Sequence, residues 1–185
     1  MFLLTSVMVG FLFVALAMRY SNFYKAFLFN VIKGQFRFKR RQDYQYGVYL
    51  GYAANDHWFP CHIVRAYLEE SLGDTVCLAD RDFPVNQDMA TSIMEGIHRS
   101  WRTVLVITED FLRRDQWSEF TMKYSVYAQG PENPSRIVVI VEDRLRHLIP
   151  TQLLGAVSDE NIVSVPELRM CYELGQRLKF LVSSN

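Results

Sequence analysis

The chain has 185 residues, half of them apolar, and a formal net charge of zero at pH 7. This length and composition allow one ordinary domain with a substantial core plus an appendage, and they exclude a disordered chain. The neutral total hides an uneven distribution, because residues 1–43 contain seven Lys/Arg and one acid, whereas the other 142 residues contain 13 Lys/Arg and 19 acids. This pattern is typical of a basic segment near anionic lipid followed by a mildly acidic soluble domain.

The first eighteen residues, MFLLTSVMVGFLFVALAM, carry no charge. As a helix they would span about 27 Å, close to the roughly 30 Å hydrocarbon core of a bilayer. All seven cations of the N-terminal part follow this run, which predicts a single-pass membrane protein with its N-terminus outside and the rest in the cytoplasm. A cleaved signal peptide is the alternative, since Ala15-Leu16-Ala17 resembles a cleavage site, but the basic n-region of a signal peptide is missing.

Residues 19–45 mix aromatic side chains with Lys and Arg. Beside a membrane span, this mixture indicates a juxtamembrane segment on anionic lipid rather than a segment that binds nucleic acid. The predicted organisation is a transmembrane or signal-anchor helix at residues 1–18, the juxtamembrane segment at 19–45 and a folded domain at 46–182. We expect lipid contacts through residues 1–41.

From residue 46 onward, apolar runs alternate with amphipathic stretches. Strands are predicted at residues 46–53, 75–79, 103–108, 136–141 and 162–165. Helices are predicted from Asn55 or Asp56 to Leu72, from Asp88 past Ile97, over residues 109–129 and over residues 167–182. Strands that are continuous Val/Ile/Leu runs and alternate with helices indicate an α/β fold, in which helices cover both faces of a parallel sheet.

The stretch ADRDFPVNQDM, residues 79–89, leaves the carboxyl end of the second predicted strand, where doubly wound sheets place functional loops. Its carboxylates Asp80, Asp82 and Asp88 could bind Mg²⁺ as in receiver domains of similar architecture. The first and third strands end in AAND and TE, however, and no lysine follows the fourth strand, so the metal interpretation is weak. Solvated loop acids with Arg81 as a local partner are the simpler interpretation.

Other site chemistries find no support in the sequence. No glycine lies between Ala79 and Ala90, as a phosphate-binding loop would need. The three cysteines have no CxxC spacing, and no serine or cysteine triad order is visible. We therefore expect no metal and no cofactor, and we interpret residues 79–89 as a protein-binding loop on a rigid scaffold.

Several motifs resemble those of Toll/interleukin receptor (TIR) domains, most closely those of Toll-like receptors. The first TIR box matches YGVYLGYAAND at residues 46–56, and the second matches CLADRDF at 77–83 followed by SWRTVLVIT at 100–108. This resemblance implies a flavodoxin-like fold with a five-stranded parallel sheet, and a place on the cytoplasmic side of a membrane span. It implies a Toll-like-receptor-type innate immune signalling protein that associates with other TIR domains and recruits TIR-containing adaptors.

The resemblance also implies that the loop after the second strand, called the BB loop, contacts the partner. We define the BB loop here as residues 81–87. Arg81 and Asp82 would shape its base, and the contact face would consist of Phe83, Pro84, Val85, Asn86 and Gln87.

The chain departs from the TIR pattern at several positions. The usual Pro-Gly of the loop is Val85-Asn86, with the proline one place earlier. In the first box, Gly47 replaces an acidic residue and Gly51 replaces a serine. The aromatic pair of the third box is missing, and its best register falls on residues 170–171. A decoy that binds adaptors without signalling is therefore an alternative function.

Some TIR domains cleave NAD with a glutamate four residues after a tryptophan on the third helix. Counting from Trp117, that position is Thr121, which cannot replace a carboxylate. Glu119 is the alternative catalytic residue, but two residues along a helix turn a side chain by roughly 200°. We expect a protein that is not an enzyme, with NAD hydrolysis as the alternative.

Overall fold

The computed structural model describes residues 40–113, 116–129 and 136–183. The predicted membrane helix at residues 1–18, and residues 19–39 of the predicted juxtamembrane segment, lie outside the described residues. Among the residues that are described, no helix has both the length and the apolarity needed to cross a bilayer. The described residues, from 40 to 183, belong to one compact unit.

A single sheet of five strands, in the order β2-β1-β3-β4-β5, organises this unit. The strands are β1 (Tyr46–Gly51), β2 (Val76–Cys77), β3 (Ser100–Ile107), β4 (Ile137–Glu142) and β5 (Ile162–Val165). Every neighbouring pair is parallel, and Tyr49 of β1 pairs with Cys77 on one side and with Thr103 on the other. The predicted five-stranded parallel sheet with flanking helices is thus confirmed.

The helices connect these strands. They are α1, wound as two π-helical segments (Phe59–Val64 and Tyr67–Ser71), α2 (Ala79–Asp82), α3 (Met89–Arg99), α4 (Glu109–Leu112), α5 (Gln116–Ala128), α6 (Thr151–Leu154) and α7 (Tyr172–Ser183). Short 3₁₀ turns lie at Arg41–Asp43, Ala54–Asp56, Asp143–Leu148 and Asp159–Asn161.

Side chains on successive strand residues point to opposite faces, so the core is divided by the sheet. In β3, Val104 and Val106 belong to the cluster beneath α1 and α7, whereas Leu105 and Ile107 belong to the cluster beneath α4, α5 and α6. A third, smaller cluster joins Tyr49 of β1 to the buried face of α3. Both faces of the sheet are therefore covered, as the apolar strand sequences predicted.

Several predicted elements have other bounds in the structure: β3 begins at Ser100 and α1 at Phe59, and three further differences are larger. The strand predicted at 75–79 has two residues, because the Leu78 N–H donates to the Asp82 carboxylate at 2.7 Å and α2 begins at once. The helix predicted over 109–129 is divided into α4 and α5, since the backbone leaves helical geometry at Arg113. The closing helix predicted from residue 167 begins at Tyr172.

Candidate functional site

The BB loop begins from a short, strongly bonded base. Both the Arg81 and Asp82 backbone N–H groups donate to the Leu78 carbonyl, at 3.2 and 3.0 Å, which forms the single turn of α2. The Arg81 guanidinium holds the Asp82 carboxylate through two hydrogen bonds of 2.9 and 3.1 Å, and it also donates to the Val76 carbonyl. Arg81 and Asp82, for which the resemblance implies a role in shaping the loop base, are thus bonded to each other and to the backbone of β2.

A residue outside the loop completes this base. Arg81 Nη1 donates to Glu69 Oε1 of α1 at 2.9 Å, and the other Glu69 oxygen accepts from Arg65 at 3.2 Å. The hydrogen bond with Asp82 raises the pKa of Arg81; partial burial acts in the opposite direction, and Glu69 adds to the increase. Glu69 was not predicted from the sequence: the four-residue spacing of Arg65 and Glu69 indicates a contact within a helix, but the contact with Arg81 depends on the tertiary fold.

Phe83 directs the chain away from this base and towards α3. Its ring is half-buried against the third core cluster, and the Arg99 guanidinium lies 6.0 Å from the ring centroid. This distance is at the limit of a cation–π contact. Phe83 is therefore partly a packing residue, and only the exposed part of its ring is available to a partner.

The tip of the loop is open to solvent. Pro84, Val85 and Asn86 are exposed, and Val85 is fully so, with a relative exposure of 105%. A hydrogen bond of 3.0 Å from the Gln87 N–H to the Pro84 carbonyl closes the tip as a turn. Asp88 then begins α3 by accepting hydrogen bonds from the N–H and hydroxyl of Thr91, at 2.8 and 2.6 Å. The turn thus presents an apolar side chain between two fixed ends.

The three aspartates considered as Mg²⁺ ligands have separate partners. Asp80 accepts from the Tyr52 hydroxyl at 3.1 Å, Asp82 is held by Arg81, and Asp88 caps α3. Across the described ranges, no group of three or more His, Cys, Asp or Glu side chains is arranged to hold a metal ion.

A small cleft of about 60 Å³ lies beside the loop, at the carboxyl end of β1. Thr121, Trp117 and Asp80 are among its lining residues. Glu119 lies elsewhere on α5: it pairs with Lys123 at 2.6 Å and lines a separate groove of about 550 Å³ between α5 and α6. The cleft and Glu119 therefore do not form one site.

The two glycines that depart from the first TIR box are each explained by a neighbour. A Cβ at Gly47 would lie 1.7 Å from Oδ1 of Asp74, whose carboxylate occupies that space and pairs with Arg41 at 2.7 Å. A Cβ at Gly51 would lie 2.9 Å from the Thr121 methyl group, as well as 2.7 Å from a leucine of β3. Gly51 and Thr121, which both depart from the TIR pattern, are thus in contact.

The residues matched to the third box are structural in the described chain. Met170 and Cys171 pack against the core cluster beneath α1 and α7, and Leu174 and Leu178 of α7 are fully buried within it.

No protein-family model matches the chain. Among curated proteins, it is similar to Toll-like receptor 4 of Pinctada imbricata, with 24% identity over 128 residues that cover 67% of this chain and 14% of that protein. It is also similar to Toll-like receptor 2 of Mus musculus, with 28% identity over 111 residues that cover 59% of this chain and 14% of that protein. The chain thus spans a small part of the length of these relatives.

Among solved structures, the chain is similar to a metazoan TIR-STING receptor from C. gigas. The match has 22% sequence identity and a TM-score of 0.57, and it covers 76% of this chain and 41% of that one. At this identity the similarity concerns the fold. Together with the five-stranded parallel sheet and the Toll-like receptor relatives, this similarity supports a TIR domain in this chain.

Proposed function

We propose that this TIR domain associates with other TIR domains through the BB loop. In this proposal it is the cytoplasmic signalling part of a Toll-like-receptor-type protein of innate immunity, and it recruits TIR-containing adaptors. The observation that carries the proposal is the fully exposed Val85 at the tip of a loop whose base is held by Arg81 and Asp82. A contact residue presented on a fixed loop loses little conformational entropy when it binds.

The proposed location follows from the sequence. The uncharged residues 1–18, and the cations that follow them, support a single-pass protein with its N-terminus outside and the TIR domain in the cytoplasm. The similarity to Toll-like receptors supports the same arrangement. Clustering of such a protein in a membrane would raise the local concentration of its TIR domains, so contacts that are individually weak could assemble a platform for adaptors.

The arrangement of α5 favours association over NAD cleavage. Thr121, at the position of the expected catalytic glutamate, lines the cleft beside the BB loop, whereas Glu119 pairs with Lys123 and lines the separate groove. An assay for NAD consumption, with a known TIR hydrolase as the positive control, separates the two functions. NAD loss that disappears in Glu119→Ala would support the enzyme.

The loop assignment is tested by replacing Val85 with aspartate. An unpaired charge at the tip of a contact surface must be desolvated on binding, so we expect Val85→Asp to weaken association by at least about tenfold. Leu154→Asp is the matched control, because Leu154 is also an exposed aliphatic residue, at 42% exposure, but lies on α6. Phe83 is a poorer probe, since it also packs against α3.

The measurement is the affinity of the full chain, in detergent, for a second copy of itself and for a panel of purified adaptor TIR domains. Circular dichroism shows whether each variant is folded. A folded Val85→Asp protein that binds every partner as tightly as the wild type would refute the loop assignment. A decoy would bind adaptors in this assay but produce no downstream signal when clustered in cells.

A further inference from the structure

We infer that Glu69, which lies on α1 outside the BB loop, is a positioning residue that holds the loop in its shape and thereby sets its affinity for a partner. The second half of this statement rests on the proposed function of the loop. The Glu69 carboxylate accepts two hydrogen bonds, one from Arg65 within α1 and one from Arg81 in the loop base.

Glu69 is itself held in place by its own helix. Arg65 lies one turn earlier in α1, where its Nε donates to the Cys61 carbonyl at 2.6 Å and its Nη1 donates to Glu69 Oε2 at 3.2 Å. The second oxygen, Oε1, is thereby directed towards Arg81, 2.9 Å away. The π-helical winding of Tyr67–Ser71 belongs to this same segment, and such windings often occur where a helix serves a function.

All three nitrogens of the Arg81 guanidinium donate hydrogen bonds, and together they reach three partners. Nε and Nη2 bind the Asp82 carboxylate, Nη2 also donates to the carbonyl of Val76 in β2, and Nη1 binds Glu69. A guanidinium is planar, so the bond to Glu69 fixes the rotation of the plane that grips Asp82. Without Glu69, Arg81 would keep its local partner but lose its anchor on α1.

The anchored base sets the direction of the rest of the loop. Asp82 is followed by Phe83, whose ring lies against α3 with Arg99 at 6.0 Å. Val85 is only three residues after Asp82, so a shift at Asp82 is passed on through Phe83 to the exposed tip. Loosening the base should therefore increase the number of tip conformations and lower the affinity for a partner.

The contact is partly exposed, so its effect should be moderate. The relative solvent exposure is 27% for the Glu69 side chain and 40% for the Arg81 side chain, so solvent screens the interaction between them. We expect loss of the Glu69 charge to raise the opening equilibrium of the loop by about three- to fivefold, and the domain to stay folded.

The experiment compares Glu69→Gln with Glu70→Gln in the full chain in detergent. Both variants remove one negative charge from adjacent residues of α1, but Glu70 is exposed and lies outside the network of Arg65, Glu69 and Arg81. Hydrogen–deuterium exchange of residues 79–88 reports loop opening, and affinity for a second copy or for adaptor TIR domains reports binding. Glu69→Asp, which keeps the charge on a shorter stem, should lie between the wild type and Glu69→Gln.

We expect faster loop exchange and weaker binding in Glu69→Gln alone, with a difference that shrinks at high salt. Equal loop exchange in Glu69→Gln and Glu70→Gln would overturn the inference, and so would faster exchange with unchanged affinity. A wild-type chain that binds no TIR domain would overturn the proposed function instead, and the exchange rates would still decide whether Glu69 holds the loop.

Discussion

Replacing Gly47 with alanine should test whether the Asp74 carboxylate occupies the space of the missing side chain. The new Cβ would lie 1.7 Å from Asp74 Oδ1, so the carboxylate must move. Only 7% of the Asp74 side chain is exposed, and the carboxylate accepts hydrogen bonds from Arg41 at 2.7 Å and from the Thr75 N–H at 3.2 Å. Moving it therefore breaks a partly buried ion pair and leaves its carboxylate without these partners.

The expected loss follows from these contacts. A hydrogen bond to a charged group contributes about 1.5–3 kcal/mol to stability, and the lower end applies because the Arg41 side chain is 32% exposed. We expect Gly47→Ala to lower the free energy of unfolding by about 2 kcal/mol, which corresponds to a fall in Tm of about 4–8 °C for a domain of this size. Asp74→Ala should cost a similar amount.

Thermal unfolding of the two single variants and of Gly47→Ala/Asp74→Ala, followed by tryptophan fluorescence, measures the coupling. Because the alanine acts by displacing Asp74, the double variant should be about as stable as Asp74→Ala alone. Gly155→Ala is the control: its Cβ would approach nothing closer than a carbonyl oxygen at 3.4 Å, so its Tm should stay near that of the wild type. A Gly47→Ala protein with wild-type Tm, or a double variant that loses the sum of both effects, would refute this account.

Two further predictions concern residues within the strands of the sheet, Gly51 of β1 and Cys77 of β2. Gly51→Ser should lower the free energy of unfolding by about 1–3 kcal/mol, because its Cβ would overlap Leu105 and the Thr121 methyl group, and adding Thr121→Ser should recover part of the loss in Tm. Burial raises the pKa of the Cys77 thiol to about 12, so the unfolded chain loses this proton at lower pH than the folded chain does. Stability should therefore fall as pH rises from about 9 to 12, with a shallower fall in Cys77→Ala; an unchanged slope would contradict this assignment.

The strands were the most predictable part of the fold. The runs at 103–108 and 136–141 are apolar on both faces, and this pattern is sufficient to indicate a buried parallel strand. The place of residues 79–89 in the fold was also predictable, since they follow the carboxyl end of β2, where the rule for such sheets puts functional loops; their role in binding stays a prediction.

The missed features depend on contacts between distant parts of the chain. Glu69 and Arg81 are twelve residues apart, and no local periodicity indicates that they meet. The Asp74 carboxylate fills the space where a side chain at Gly47 would lie. This contact likewise depends on the fold, because it forms only when β1 and the segment before β2 lie side by side. The π-helical winding of α1 was not predictable either, because its apolar residues also fit the spacing of an ordinary helix.

The short edge strand β2 has a consequence for copies of this domain held at high density. An exposed sheet edge can template strand addition and irreversible aggregation, and β2 is one of the two edges of this sheet. Its Val76 carbonyl is already bonded to Arg81, and the following Leu78 N–H to Asp82. The loop base therefore occupies two of the backbone groups that a foreign strand would need, which disfavours strand addition at this edge and leaves association to side-chain contacts.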